Sequence, residues 1–470
     1  MLPGQDAKSR HPRPVAATKH DPGEKLTSLS ATVAAPGAAS SALETSTIRA
    51  ISWRLIPFLV LAYFLSYLDR VNLGFAALTM NAELKFSPTI FSWGAGIFFI
   101  GYFIFEVPSN LALEKFGASR WIARIMVTWG IVSALMALVS GVWSFYGIRF
   151  LLGVAEAGFF PGIILYLTYW YPAEYRARFL AAFAVAVPVS TVIGAPISGL
   201  LLGLDGVMGL QGWQWLFVIE GVPTVLLGIV TWFYLTDRPA QADWLTTEQK
   251  AWLSSRLQSE LAAKQAAKHL TLGKALGSPR VLALSLIYFG FVGALYGMQF
   301  WLPQIVKAFG FSNAQTGFVT AVPYLFGTVA MVLWARHSDA SRERVAHVGL
   351  PLLLTAVALG VCGYMDNPYV TMVALVVAAI GIFATFAVFW TLPTAWLSGT
   401  AAAGAIALIN SIGNLAGFAG PYLIGWIKEA TGSTSTGLLV LAVLPLIAGL
   451  LVFLGGHETR AEFAPLEQKA

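Results

Sequence analysis

Twelve apolar runs, each long enough to cross a bilayer, dominate this chain: residues 54–78, 88–112, 121–141, 144–169, 179–203, 213–235, 281–306, 315–336, 346–364, 369–395, 401–427 and 435–455. About twenty apolar residues in a helix match the hydrocarbon core of a membrane. Inside lipid a backbone must satisfy its own N–H and C=O groups, which a helix does within one segment. A chain that is 57% hydrophobic and 11% charged, with a mean hydropathy of +0.71, lies outside the range of soluble globular domains. The expected fold is an all-α polytopic membrane protein with twelve transmembrane helices in two pseudo-symmetric six-helix bundles.

The basic residues follow topology. With both termini and the segment between runs six and seven on one side, that side carries 24 Lys and Arg, and the other side carries three: Lys85, Lys307 and Lys428. Such a bias marks the cytoplasmic side. The expected organisation is a disordered cytoplasmic tail (1–50), a first six-helix bundle (51–235), a cytoplasmic linker (236–280), a second bundle (281–455) and a cytoplasmic tail (456–470). In the linker, Trp244, Leu245, Trp252, Leu253 and Leu257 fall at roughly helical spacing and suggest an amphipathic surface helix; a solvated linker helix fits as well. The halves echo each other: Gly194-Ala195-Pro196 in the fifth run is matched by Ala419-Gly420-Pro421 in the eleventh, and Pro161 by Pro393. Duplicated halves place a site between them.

Charge is scarce within the runs. Asp69 and Arg70 lie in the first, and Arg149 and Glu156 lie seven apart on one face of the fourth. A charge at bilayer depth costs at least about 2.5–3.5 kcal/mol on insertion scales, so four of them imply a polar site. Asp69 and Glu156 are the candidates for reversible protonation: burial favours the neutral acid and a nearby arginine the carboxylate. Arg70 and Arg149 suit an anion, because a guanidinium stays charged and grips a carboxylate through paired hydrogen bonds. The alternative is static ion pairs holding helices together, although such pairs gain little over apolar packing. Two arginines and two carboxylates sum to zero; each proton taken up leaves one more positive charge for an incoming anion.

Around this group, Tyr67 shares a face with Arg70, and Tyr102 lies in the second run. The second half offers Gln299, Trp390, Asn410 and Asn414, with no Asp, Glu, Lys or Arg inside its runs except near their ends. Glu106 and Glu220 read as structural or gating residues.

Other classes fit poorly. The single cysteine, Cys362, permits no disulfide within the chain and no cysteine metal site. The six histidines (His11, His20, His269, His337, His347 and His457) fall in tails, loops or helix ends. No metal site, cofactor cradle or catalytic constellation is expected, and no nucleic-acid partner, since the basic residues are not gathered on one segment. The expected partners are the lipid bilayer, protons and a small organic anion, with the monomer as working unit. A sensor built on a transporter scaffold remains a separate reading.

Longer motifs carry a resemblance. Tyr67-Leu68-Asp69-Arg70, the stretch from Gly101 to Asn110 (GYFIFEVPSN), the stretch from Arg149 to Gly158 (RFLLGVAEAG) and Gly212-Trp213-Gln214-Trp215-Leu216-Phe217 resemble the major facilitator superfamily. More narrowly they resemble its anion:cation symporter family, over about Trp53 to Gly432. Within that family the chain looks closest to bacterial tartrate, phthalate or 4-hydroxyphenylacetate permeases. The resemblance implies proton-coupled uptake of an organic carboxylate by alternating access; an exchanger or exporter of similar anions is the alternative. It implies substrate contact for Tyr67, Tyr102, Trp390 and Asn410. It also marks Glu114-Lys115 and Arg120 as a loop latch, with Glu-Lys where the family usually has Asp-Arg, and Asp339 as the counterpart in the second half. An inner-membrane location follows.

Overall fold

A computed structural model of the protein describes residues 36–266, 278–396 and 399–455. The chain divides into two compact units, Met1–Ala42 and Leu43–Ala470. Of the first, only the short helical stretch from Pro36 is described; the second contains the membrane-spanning bundle.

Among the described residues, eleven helical segments are long and apolar enough to cross a membrane, and the 33-residue helix Gly399–Thr431 takes the remaining place in the order. We number these spans 1 to 12. The first half comprises Ser41–Glu83, Pro88–Phe116, Ala118–Leu138, Val142–Trp170, Ala182–Leu204 and Gly212–Tyr234. The second comprises Pro279–Lys307, Asn313–Ser341, Val345–Tyr364, Pro368–Pro393, Gly399–Thr431 and Thr434–Gly455. The chain is an all-α, multi-pass membrane protein of six plus six helices. Its outer surface is apolar where lipid would lie, as at Val107, Leu111 and Phe233, because no polar medium opposes such exposure in a bilayer.

The sequence reading set a disordered tail up to residue 50, but the helix of span 1 begins at Pro36. After Pro36 no proline occurs before Pro57, and the stretch is rich in alanine, the best helix former. Thr47 is fully buried, and the Tyr175 hydroxyl donates to Glu44 at 2.9 Å. The remainder of that tail, the linker residues 267–277 and the tail from 456 lie outside the described residues. The linker helix runs Thr247–Ala266. Its leading Trp244 stacks on Trp170 with centroids 5.2 Å apart, and Leu253 is buried. Its Glu260 pairs with Arg176 at 3.3 Å and accepts from the Ala173 amide at 3.1 Å. The helix therefore lies against the linker-side end of the first half.

Span 4 is broken where the sequence suggests one run. Helix Val142–Glu156 stops, and helix Phe159–Trp170 starts after Gly158. Gly158 has φ +83°, and a side chain there would run into Ser109, so glycine is required on both counts. The break leaves Glu156 as the last residue of its helix, in the middle of the membrane segment.

The two halves meet along spans 2 and 11 and along spans 5 and 8. At the end away from the linker, Glu429 of span 11 accepts from Ser87 Oγ at 2.8 Å and from the Thr89 amide at 2.9 Å. On the same side Gly199 and Gly317 let spans 5 and 8 approach backbone to backbone, the usual service of small residues between membrane helices.

Candidate functional site

Arg70 is the centre of the polar interior. Its Nε donates to Glu156 Oε1 at 3.0 Å, and its Nη2 donates to the same oxygen. Its Nη1 donates to the Tyr296 hydroxyl, 2.8 Å away in span 7 of the other half. Ser66, one turn earlier in span 1, donates to the same Glu156 oxygen at 2.9 Å. Aromatic rings surround the guanidinium: its carbon lies 5.0 Å from the centroid of Tyr67, 5.4 Å from Phe98 and 5.6 Å from Tyr102. Rings at such distances stabilise a desolvated cation.

Arg149 also lies near Phe98, 5.0 Å from its centroid, but bonds elsewhere. Its Nε and Nη2 donate to the Gly94 and Ala95 carbonyls of span 2 at 3.0 and 3.2 Å. It is 2% exposed, and its recorded hydrogen bonds go to backbone. Asp69 also separates from its chain neighbour. It accepts from Trp129 Nε1 at 2.8 Å, Ser133 Oγ at 2.9 Å, Thr224 Oγ1 at 3.3 Å and Asn72 Nδ2 at 3.4 Å. The four charged residues thus form a single ion pair, Arg70 with Glu156, flanked by one guanidinium and one carboxylate held by neutral groups. Adjacent residues on a helix point about 100° apart, so Asp69 and Arg70 serve different faces of span 1.

The second half presents neutral groups. Gln299, one turn beyond Tyr296, is buried with its Nε2 unpartnered, and a buried donor without an acceptor is costly. Trp390 packs on Tyr288, centroids 4.9 Å apart. Asn410 Nδ2 donates to Glu106 Oε1 at 3.2 Å, and Ser411 reaches Glu106 Oε2 at 3.5 Å. Glu106, 7% exposed, therefore joins span 2 to span 11 with no basic partner recorded for it among the described residues. Sequence reading named Glu106 only as structural or gating and passed over Tyr296 and Phe98. The signal for Tyr296 was its spacing of three from Gln299, which puts both on one helix face.

At the linker end of the first half, Glu114, Lys115 and Arg120 are exposed, and Lys115 lies 5.4 Å from the Phe116 ring. The bond that ties this corner is made by Asp237, which accepts from the Ser119 amide at 2.7 Å, an acid at a helix N-terminus. In the second half Asp339 pairs with Arg344 at 2.7 Å. Beside it Glu343 accepts from the Ala346 amide and the His347 ring at 2.7 and 2.6 Å. Burial pushes the Glu343 carboxyl up, but these bonds outweigh it and hold the group below its ordinary value.

A fold of twelve such helices around a charged centre defines a membrane transporter, and the comparisons agree. The family model described as Major Facilitator Superfamily matches residues 59–395 and 304–469; the chain belongs to the Major Facilitator Superfamily. It is 52% identical over 433 residues to a "Putative tartrate transporter" of Agrobacterium vitis, covering 92% of this chain and 100% of that one. It is 44% identical over 412 residues to a quinolone resistance transporter of Acinetobacter baumannii, covering 87% and 95%. Among solved structures, a D-xylose–proton symporter shares the fold with a TM-score of 0.69 at 14% identity, covering 85% of this chain and 97% of that one. The protein is a transporter and not an enzyme.

Proposed function

We propose that this protein is a proton-coupled symporter that takes up a small organic carboxylate, tartrate first among the candidates, by alternating access. The observation that carries the reading is the sharing of the Arg70 guanidinium between Glu156 of its own half and Tyr296 of the other. Ionised Glu156 occupies Nε and Nη2, two donors that a substrate carboxylate would take. A proton on Glu156 weakens those charge-assisted bonds and leaves Arg70 with an uncompensated charge, which an anion then neutralises. Loss of the proton restores the pair and expels the anion. Because Nη1 is held by Tyr296, the exchange is felt across the seam between halves, where alternating access must act.

The other expected residues fit as supports. Tyr67 and Tyr102 flank the Arg70 guanidinium; Gln299, Trp390 and Asn410 supply neutral donors and an aromatic face. Arg149 adds positive potential beside Phe98. The corners containing Glu114, Lys115 and Arg120, and Asp339 in the second half, act as gating latches, with Asp237 and Arg344 as their bonded partners. The charge bias puts the linker end and both termini in the cytoplasm, and the protein in the inner membrane. Each chain encloses its own site, so the monomer is the working unit, and no cofactor is needed for binding and proton exchange. The tartrate relative at 52% identity supports a carboxylate substrate.

Export or exchange of an aromatic acid is the second reading. The aromatic rings around Arg70 suit a flat aromatic anion, and the quinolone resistance relative points the same way.

The test is uptake into proteoliposomes under an inward proton gradient, against tartrate, galactonate, phthalate, 4-hydroxyphenylacetate, nicotinate and a neutral sugar. Gradient-dependent accumulation of one acid and none of the sugar is expected. Counterflow alone, insensitive to pH, would move the reading to an exchanger.

A further inference from the structure

Besides Glu156 and the Glu106 carboxyl at the seam, the first half buries two more carboxyl groups, Asp69 and Glu220, and their surroundings are unequal. Asp69 has four donors from three spans: Trp129, Ser133, Thr224 and Asn72. Glu220, 2% exposed, has one, the Ser198 hydroxyl on Oε1 at 2.8 Å. Its Oε2 is buried without a partner, and so is the Oδ1 of Asn72, a fully buried side chain.

The two groups are neighbours by helix geometry. Spans 1 and 6 run in opposite directions. Thr224 meets Asp69; Glu220 lies one turn before Thr224, and Asn72 lies one turn after Asp69. The next level of contact therefore sets the Asn72 amide against the Glu220 carboxyl. Spans 3 and 5 contribute an indole and hydroxyls, and no lysine, arginine or histidine bonds to either carboxyl among the described residues. The nearest charged groups, Arg70 and Glu156, satisfy each other.

Two ionised carboxylates side by side at bilayer depth with no bonded cation would each carry the full cost of a buried, unpaired charge. One proton relieves this, and the donor count says where it sits. Four donors meet the carboxylate of Asp69, whereas Glu220 has one, on Oε1, and its Oε2 has no hydrogen-bond partner. A proton on Oε2 turns that oxygen into a donor, and the adjoining Asn72 Oδ1 is an acceptor in want of one. We infer that Glu220 is a neutral carboxylic acid bonded to Asn72, and that Ser198, Glu220, Asn72 and ionised Asp69 form a second proton-holding site, separate from Arg70 and Glu156. The donors then run in one direction, from Ser198 to Glu220 to Asn72 to Asp69. As a coupling device this site rests on the symport reading above: release of the Glu220 proton would create a second negative charge beside Asp69 and strain the junction of spans 1, 5 and 6.

Infrared spectroscopy of the full-length protein in lipid nanodiscs at neutral pH tests the assignment without any substrate. A C=O stretching band of a hydrogen-bonded, un-ionised carboxylic acid is expected. Glu220→Gln should remove it and Asp69→Asn should leave it. Asn72→Ala, which takes away the acceptor, should move it to higher frequency, and this variant decides the matter if Glu220→Gln does not fold. Absence of the band, its survival in Glu220→Gln, its loss in Asp69→Asn or its indifference to Asn72→Ala would each overturn the inference. Transport separates the two ideas: proton-independent uptake with the band present refutes symport and keeps the neutral Glu220, whereas symport without the band does the reverse.

Discussion

The two halves of this transporter share six-helix topology but divide the chemistry between them. The first buries Asp69, Glu106, Arg149, Glu156 and Glu220 and holds Arg70 half-buried; the second presents Tyr296, Gln299, Trp390, Asn410 and Ser411. Duplication explains the matching helices, and the difference shows what a duplicated fold permits. A buried charge needs a partner close by, and for all of these but Glu106 such partners come from within the first half. Around these groups, among the described residues, the other half meets it through hydrogen bonds made by uncharged side chains rather than through ion pairs. Arg70 to Tyr296 and Asn410 to Glu106 are two such contacts.

The division can be tested by removing one side at a time. The largest effect is expected for Arg70→Ala, which leaves Glu156 buried and unpaired. Losses of about 3–5 kcal/mol accompany such a break, so thermal stability should fall and uptake should vanish; adding Glu156→Gln should recover stability but not uptake. Recovered uptake in the double variant would remove both residues from the site. Glu156→Gln alone should keep substrate exchange and lose proton-driven accumulation, measured by counterflow against gradient-driven uptake. Normal accumulation would take Glu156 out of coupling.

Arg149→Lys comes next. The fork to the Gly94 and Ala95 carbonyls would be reduced to a point charge. If Arg149 contributes to the anion site, substrate affinity drops about tenfold, the equivalent of one lost bond of about 1.4 kcal/mol; an unchanged affinity with a lowered melting temperature would make it a helix tie. In the neutral half, Gln299→Leu should raise the melting temperature while weakening substrate binding, since an unpaired buried amide costs about 1–3 kcal/mol. A lowered melting temperature would show that the amide has a partner in the empty protein.

The smallest effect concerns the corner at Glu343. A carboxyl held below its ordinary value in the folded protein contributes stability above the ordinary carboxylate range, near about pH 4.3. That contribution is lost as pH falls through the lowered value. Glu343→Gln should flatten the acid limb of a melting-temperature profile slightly and leave neutral pH nearly unchanged; an identical acid limb would show that the bonds to Ala346 and His347 add nothing.

Much of this was legible beforehand. Run lengths located the spans because helices in lipid must satisfy their own backbones, and the scarcity of charge singled out Asp69, Arg70, Arg149 and Glu156 because a buried charge demands a reason. Spacing could not choose partners. It put Arg149 and Glu156 on one face, but the long guanidinium of Arg149 reaches carbonyls of span 2, and Glu156 is met by Arg70 from span 1. The break at Gly158 lies hidden in an unbroken apolar run, because hydropathy does not register backbone conformation.

What the sequence by itself determined is how many helices there are, which half carries charge and which residues are too costly to be incidental. These follow from local rules, the length of an apolar run and the price of an ion in lipid. Only the tertiary structure decided that Asp69 and Arg70 part company, that Arg70 is held from both halves, and that Glu220 meets Asn72 with two oxygens unsatisfied. Those facts depend on how helices remote in sequence turn toward one another, and half a turn of rotation about a helix axis exchanges every partner it has.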